Sequence, residues 1–449
     1  MTSQPYQSYK ESGIDWLEQV PSHWKLTPIK SLFRVVNGAT PKSDVSEFWD
    51  GGIVWLTPAD FPGESARPIS VSARTISPEG LASCAATVVP PGSIVISTRA
   101  PIGSLAFAEV PLTFNQGCRG LVALQPLEIR YFLYAMANAR VALNLFGRGT
   151  TFLELSSDAL GSFRVCSPPL DEQRAIAAFL DRETAKIDAL IAEQERLIAL
   201  LQEKRQAVIS QAVTKGLDPT VPMKDSGAAW MGMVPAHWAV TRFGNLVRDI
   251  KAGPFGSALT KDIYVHSGYR VYGQEQVIPG DFSIGDYYID EEKYQELKNY
   301  AVCSGDILIS CVGTFGKIAI VPPGIEPGII NPRLIRVRFQ PDVMPEYAQI
   351  VLKSPIAFNQ MAMLSRGGTM DVINIGTLKS LVLPIPSMEE QQKICTFVSC
   401  AEQRTQSLVD EASRAIALLR ERRAALISAA VTGKIDVRDV AGAEPAEAA

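Results

Sequence analysis

Histidine is scarce in this chain: His23, His237 and His266 are the only three in 449 residues. Seven cysteines, at 84, 118, 166, 303, 311, 395 and 400, form no C-x-x-C pair and no Cys/His cluster of zinc spacing. An odd, scattered set of that kind reads as reduced thiols in a cytoplasmic protein. No apolar run approaches the ~20 residues that span a bilayer. The stretch MTSQPYQSYKESG carries no apolar core of a secretory signal, so a cytoplasmic location is expected. Basic charge is not in excess either. A net charge of −4 argues against a polycation that coats nucleic acid, although a local basic face can still bind it.

Catalytic signatures are missing as well, in a chain long enough to hold an enzyme. No G-x-x-x-x-G-K-[ST] occurs, and GTFGK (313–317) is too short for one. No G-x-G-x-x-G leads a strand into a helix, and G-x-S-x-G is absent. The Asn-Pro-Pro-aromatic tetrad of amino-methyltransferases has only NPR at Asn331 as its nearest approach. PDVMPEYA (341–348) lacks the lysine of a Pro-Asp…Glu-x-Lys nuclease pattern. The chain is therefore expected to be non-catalytic, with no cofactor and no metal of its own.

What is present is present twice. SGIDWLEQVPSHW (12–24) returns as SGAAWMGMVPAHW (226–238), with Lys10, Ser12, Gly13, Trp16, Val20, Pro21, His23 and Trp24 meeting their copies 214 residues on. EQRAIAAFL (172–180) meets EQQKICTFV (390–398), and LIALLQEKRQAVISQAVTKGLD (197–218) meets AIALLRERRAALISAAVTGKID (415–436), both at 218. Between these anchors the likeness fades: PPGSIVISTRAPIG (90–103) parallels CSGDILISCVGTFG (303–316), and GRGTTF (147–152) parallels SRGGTM (365–370). A period this long is a duplication, not a solenoid. His23 and His237, each between proline-led and tryptophan neighbours, read as packed structural histidines rather than bases. The repeated phrase should anchor each body at a helix end, which places VTGKID (431–436) close to the N-terminal segment.

The bodies read as β-rich. IVWLTPADF (53–61), GSIVISTRA (92–100), CRGLVAL (118–124), GDILISCVG (305–313) and PRLIRVRF (332–339) are short β-branched or aromatic runs bounded by Gly, Pro and Asn. Helices are expected over 128–146 and 345–361. From Asp171 to Lys215, and again from Glu389 to Thr432, neither Gly nor Pro interrupts. Each such helix would be ~66 Å long at 1.5 Å per residue. A heptad reading selects Ile187, Leu190, Leu197, Leu201 and Val208 in the first helix. Ile191 and Ile198 widen that stripe, which Gln194 and Lys204 interrupt, and in the second helix the reading selects Leu408, Val409, Ile416, Leu419 and Leu426. A helix cannot bury such a stripe alone, so the two are expected to pair antiparallel; the alternative is that each folds back on its own body. Ser387 and Glu390 form an S-x-x-E capping box, where the first copy has Pro169 in the serine position. The fold class expected is α+β, two mixed β-rich domains each followed by a long helix, with pseudo-two-fold symmetry. The boundaries are 1–168, 169–217, 218–385 and 386–440, with a disordered tail at 441–449.

The doubled SG-x-x-W…P-x-HW phrase, the P-x-x-EQ openings at Pro168–Gln173 and Pro386–Gln391, and the ISQAVTKG and ISAAVTGK helix ends follow in the order body–helix–body–helix. In this, from about Lys10 to Val440, the chain resembles the specificity subunit of type I restriction–modification enzymes. The resemblance implies two target-recognition domains, each reading half of a bipartite double-stranded DNA site. It also implies helices that act as a ruler and dock two methyltransferase subunits, which would bring S-adenosylmethionine. Two restriction subunits would bring ATP hydrolysis and nuclease activity. An orphan DNA-binding specificity subunit, or a coiled-coil adaptor without active partners, are the other readings.

Contacts to DNA belong on loops held by a scaffold, and loops rich in Arg, Lys, Asn, Gln, Thr and Gly suit phosphates and base edges. In the first body this selects Asn37, Lys42, Arg99, Asn115, Gln116, Arg119, Arg148 and Thr150. In the second it selects Lys251, Gln274, Lys317, Asn331, Arg333, Arg366 and Thr369. Arg148 and Arg366 are equivalent and flanked by glycine, which suits approach to a phosphate.

Overall fold

A computed structural model describes residues 4–14, 16–61, 67–99, 101–147, 154–228, 230–255, 258–311, 317–364 and 373–438. The chain divides into two units, Met1–Gln194 with Arg414–Ala449, and Glu195–Ser413. The expected tail at 441–449 lies outside the described residues. Two long helices, Leu170–Lys215 and Met388–Val431, each give one half to each unit.

The repeated phrase forms a β-hairpin in each unit. Tyr9–Ile14 pairs antiparallel with Leu17–Pro21, and Met223–Asp225 with Met233–Pro235. Gly13 and Gly227 turn the hairpins at φ of 68° and 76°, which is why a glycine stands there in both copies. Lys10 and Lys224 reach across to the carbonyls of Trp24 and Trp238 at 2.5 and 2.6 Å. Both tryptophans are fully buried.

Besides its hairpin and a two-stranded sheet (Lys25–Pro28 with Arg164–Ser167, or Ala239–Arg242 with Val382–Ile385), each unit has two larger sheets among the described residues. In the first unit, Phe33–Asn37, Cys118–Ala123, Ile94–Ser97, Leu105–Ala108 and Arg67–Ile69 make one, in that spatial order. Leu112–Phe114, Trp49–Leu56 and Arg74–Ile76 make the other. The second unit repeats the scheme with Val247–Ala252, Leu334–Phe339, Ile307–Ser310 and Ile318–Ile320. Its smaller sheet is Tyr288–Ile289, Tyr269–Tyr272 and Gly328–Ile330. The central Ile94–Ser97 and Ile307–Ser310 are buried at every position, as apolar runs covered on both faces should be. Each single helix expected at 128–146 and 345–361 is broken in two. Ile129–Asn138 gives way to Arg140–Phe146, and Pro345–Lys353 stops at Ser354, where Pro355 begins Pro355–Leu364 because proline cannot continue the ladder.

The E-Q pair at the start of each long helix fastens body to helix. Gln173 accepts from the Glu128 backbone N–H (3.1 Å) and donates to the Pro168 carbonyl (2.8 Å). Gln391 accepts from Met344 N–H (2.8 Å) and donates to Asp342 and Pro386 carbonyls (2.9 and 3.1 Å). The preceding glutamate takes the histidine and tryptophan of the hairpin phrase. Glu172 accepts from His23 Nε2 (2.7 Å), Trp24 Nε1 (2.9 Å) and the Tyr6 hydroxyl (3.3 Å). Glu390 accepts from His237 Nε2 (2.8 Å) and Trp238 Nε1 (3.2 Å), and also closes the capping box with Ser387. The histidines thus do have a carboxylate partner, which sequence reading did not supply. That carboxylate is shared with a buried indole, so the arrangement is a latch. Burial pushes the Tyr6 hydroxyl far above its ordinary range, and the neighbouring Glu172 charge adds to it.

Burial alone would raise the Glu390 carboxyl, but the hydrogen bonds from His237, Trp238 and Ser387 outweigh it and hold it below the usual carboxylate range. A carboxylate with a depressed folded-state pKa stabilises fully above its unfolded pKa, and that contribution is lost as pH falls through the folded value. Thermal midpoints of the wild type and Glu390→Gln should therefore differ at pH 7 and converge as pH drops through and below about 4.5, the ordinary glutamate value. A difference that stays constant across the titration would contradict the latch.

The long helices pack together, and within each unit the partners run antiparallel. In the first unit, Asp188 accepts from Arg423 Nε at 2.9 Å, and Ile427, Ala430 and Val431 share a core with Ile176 and Leu180. In the second, Ile209, Ala212 and Val213 share a core with Ile394 and Val398. Ile187 and Ile416 are buried, and Leu201, Val208, Leu419 and Leu426 are half-buried. Leu190, Leu197 and Leu408 are corrections: they are 51%, 42% and 41% exposed. The less exposed column passes through Ile191, Gln194, Ile198, Leu201, Arg205 and Val208, and on the other helix through Thr405, Val409, Ala412 and Ile416. Each helix carries more than one apolar column, and one partner covers only one of them.

The helix end returns to the chain's beginning as expected. Tyr9 donates its hydroxyl to the Gly433 carbonyl (3.0 Å), and Asp436 N–H donates to the Gln4 carbonyl (2.8 Å). Val437 lies in one core with Tyr6 and Trp24.

Candidate nucleic-acid interface

Each unit carries one turn built by the same rules. A short strand, Leu112–Phe114 or Gly328–Ile330, runs parallel to Trp49–Leu56 or Tyr269–Tyr272 and ends at an asparagine, Asn115 or Asn331. The asparagine N–H reaches the neighbouring strand's carbonyl, Leu56 or Tyr272, at 2.8 Å in both. Its side-chain oxygen accepts the N–H two residues on, Gly117 or Arg333, at 2.9 Å in both. This is the local turn that asparagine favours. Its carbonyl then accepts from Cys118 or Leu334 (3.1 and 3.2 Å) as the chain enters the central sheet. Gly38 and Gly253 press against these turns: a Cβ on either would collide with the carbonyl oxygen of Asn115 or Asn331.

Around the first turn the structure gathers several residues selected from sequence. Asn37 accepts from the Ser157 hydroxyl (2.8 Å), which accepts from Arg119 Nε (2.9 Å). Arg119 also donates to the Gln116 and Cys118 carbonyls (2.8 and 2.9 Å) and lies 3.7 Å from Glu154. Burial lowers its pKa, against the pull of Glu154. Those contacts commit most of the Arg119 fork to the protein. Arg99 differs: it is exposed, with Glu154 at 3.4 Å. Gln116 is exposed and hydrogen-bonded to Thr40. Arg119, Glu154 and Ser157 line a cleft of about 890 Å³.

Around the second turn Gln274, Asn331 and Arg333 line a cleft of about 440 Å³ together with Glu275, Tyr264 and Tyr287. Gln274 Nε2 donates to the Ser310 hydroxyl (2.7 Å), and Arg333 Nη1 lies 3.4 Å from Gln274 Oε1. Lys42 and Lys317 are exposed, and Lys251 is half-buried opposite Arg336 on the strand Val247–Ala252. Among the described residues, no hydrogen bond or ion pair joins these three lysines to either cluster. Arg148, Thr150, Arg366 and Thr369 lie outside the described residues. Sequence reading missed Ser157, Glu154, Ser310 and the two tyrosines, which are remote in the chain. The Asn-x-[Gly/Arg] correspondence of 115 with 331 was the available signal. Among the described residues no group of three or more His, Cys, Asp or Glu side chains is placed to hold a metal, and no helix is long and apolar enough to cross a membrane.

Comparison with known proteins identifies the family. The family model described as "Type I restriction modification DNA specificity domain" matches residues 21–199 and 256–411. The specificity subunit of the type I restriction enzyme EcoBI from Escherichia coli is 24% identical over 435 residues, covering 95% of this chain and 89% of that one. The MjaIX specificity subunit of Methanocaldococcus jannaschii is 28% identical over 262 residues, 57% of each chain. Among solved structures, a chain from a study of complex assembly and conformational transition of the type I R-M system aligns with a TM-score of 0.68 at 17% identity, covering 93% of this chain and 99% of that one. The HsdS subunit from Thermoanaerobacter tengcongensis aligns at 0.52 and 15%, covering 93% and 98%. The chain belongs to the type I restriction–modification DNA specificity family: it is a sequence-specificity subunit and is itself non-catalytic.

Proposed function

We propose that the chain reads an asymmetric, bipartite double-stranded DNA target, one half by each recognition body (1–168 and 218–385). The observation that carries this is the pair of equivalent asparagine turns whose surrounding side chains differ. A duplicated scaffold with unlike readers implies two unlike half-sites. The residues that touch DNA are Arg99, Asn115 and Gln116 on one body and Gln274, Asn331 and Arg333 on the other. The lysines 42, 251 and 317 and the arginine loops at 148 and 366 supply phosphate contacts, whose loss should flatten the salt dependence of binding.

The helical regions (169–217 and 386–440) serve as a ruler and as docking surfaces for two methyltransferase subunits, with two restriction subunits completing the assembly. The relatives' names, each a subunit of a type I restriction enzyme, support that company. A cytoplasmic location follows from work on chromosomal DNA.

Co-expression with the cognate methyltransferase, followed by mapping of methylated adenines, should return a split motif with a fixed gap. Inserting a matched heptad into the first helix between Leu190 and Val208 and at the corresponding place in the second adds ~10 Å. The gap should lengthen by about three base pairs, at 3.4 Å each, with both half-site sequences unchanged. Absence of any split motif would defeat the reading; altered half-site letters would defeat the ruler.

A further inference from the structure

The two asparagine turns share a backbone but not the side chain at their third position, which is Gly117 in one and Arg333 in the other. In the first unit the room above Gly117 belongs to other chain segments. A Cβ placed there would sit 3.2 Å from the turn's own Asn115 Oδ1, and then 3.5 Å from Pro58 Cγ and 3.7 Å from Arg99 Cδ. In the second unit Gln274 holds Pro58's place, since Leu56 and Tyr272 are matched by their bonds to the two asparagines. Arg333 rises from the turn itself. Each unit therefore presents one exposed guanidinium over an equivalent turn, delivered from a different segment.

Both guanidiniums are also oriented. Arg99 Nε and Nη2 lie 3.4 and 3.5 Å from Glu154 Oε2, which leaves the Nη1 side of the fork outward, and the Glu154 backbone is bridged to that of Arg99. Arg333 Nη1 lies 3.4 Å from the Gln274 oxygen, and the Gln274 amide is set by its donation to Ser310. A side-chain oxygen beside the fork fixes its plane, which bidentate recognition needs and a point charge does not. Carboxylates of Glu154 and Glu275 at the two clefts disfavour a phosphate there. Arginine's fork matches the O6 and N7 acceptors of guanine in the major groove.

We propose that Arg99 and Arg333 are specificity-determining residues, each reading one guanine, in opposite halves of the target. This rests on the bipartite reading above. The two guanines need not fall at corresponding places in their half-sites, because the arginines come from different segments.

The test uses the full chain in complex with its methyltransferase, with methylated motifs mapped for the wild type, Arg333→Lys, Arg333→Gln and Arg99→Lys. Both residues are exposed, so recovery of soluble complex should match the wild type. Both Arg333 variants should relax a single guanine in one half-site, and Arg99→Lys a single guanine in the other, each by about tenfold to a hundredfold in discrimination. Arg333→Lys keeps the charge but loses the fork, so it should fail to restore selectivity. An unchanged motif, or methylation lowered by Arg333→Gln and recovered by Arg333→Lys without a change of letters, marks a phosphate contact and overturns the inference alone. A wild-type complex that marks no split motif removes the functional reading and this inference together.

Discussion

Glu172→Ala should destabilise the chain by about 2–6 kcal/mol, from two buried neutral donors left without their acceptor at about 1–3 kcal/mol each. Its carboxylate is 9% exposed and gathers three donors from the N-terminal segment, with Arg438 Nη1 at 3.8 Å. Truncation strands the Trp24 indole N–H inside the core and leaves the buried Tyr6 hydroxyl without its acceptor. Glu390→Ala should cost less, because Glu390 is 32% exposed and water can replace it. Calorimetry of both variants checks the order. Equal shifts, or a larger one for Glu390→Ala, would show that the latch is not what holds the first hairpin to its helix. Glu172→Gln should fall between, keeping an acceptor while losing the charge.

Gly253→Ala should be the most damaging single methyl that can be added near the second cleft. Gly253 is not in a left-handed conformation, so the cost is steric and not conformational. The new Cβ would overlap the Asn331 carbonyl, which is backbone and cannot rotate away. Overpacking of this kind costs about 1–3 kcal/mol, and relief requires the turn to move. Because Asn331 and Arg333 stand on that turn and Arg333 is hydrogen-bonded to Gln274 beside it, specific DNA affinity of the methyltransferase complex should fall much further than stability alone would explain. Binding titrations against a target duplex, set beside the thermal midpoint, separate the two effects. A variant with a lowered midpoint and unchanged specific affinity would show that the turn does not carry the contact.

The sequence made legible whatever is written twice. The hairpin phrase, the E-Q pair and the helix ends keep their residues because each is fixed by a partner that is also repeated: Glu172 with Trp24, Glu390 with Trp238, Gln173 and Gln391 with proline carbonyls. The helix seam was legible only in outline. Leucines at 190, 197 and 408 are apolar enough to suggest burial, yet less exposed positions include Gln194, Arg205 and Thr405. Residue type does not say which of two apolar columns meets the partner. Residue type also cannot separate Arg119 from Arg99. Both fall in polar stretches of sequence, and only folding shows that Arg119 lies on the strand Cys118–Ala123 and spends its donors on the chain's own carbonyls. The equivalence of the asparagine turns stayed hidden because almost everything around Asn115 and Asn331 differs.

The hydrogen bond from Asp436 to Gln4 gives the chain a topological freedom. Residues 4 and 436 meet at the first unit much as Gly216 meets Pro235 and Trp238 at the second. One junction is made by the covalent chain, the other by contact. Joining 436 to 4 with a short linker and cutting within 216–222 would give a circular permutant in which the second body is translated first. Among the described residues, no contact of the first unit's hairpin, latch or core depends on which junction is covalent. The order of the two readers along the gene is thus a convention, and recombination could exchange or reorder them while leaving the packing rules at both junctions intact.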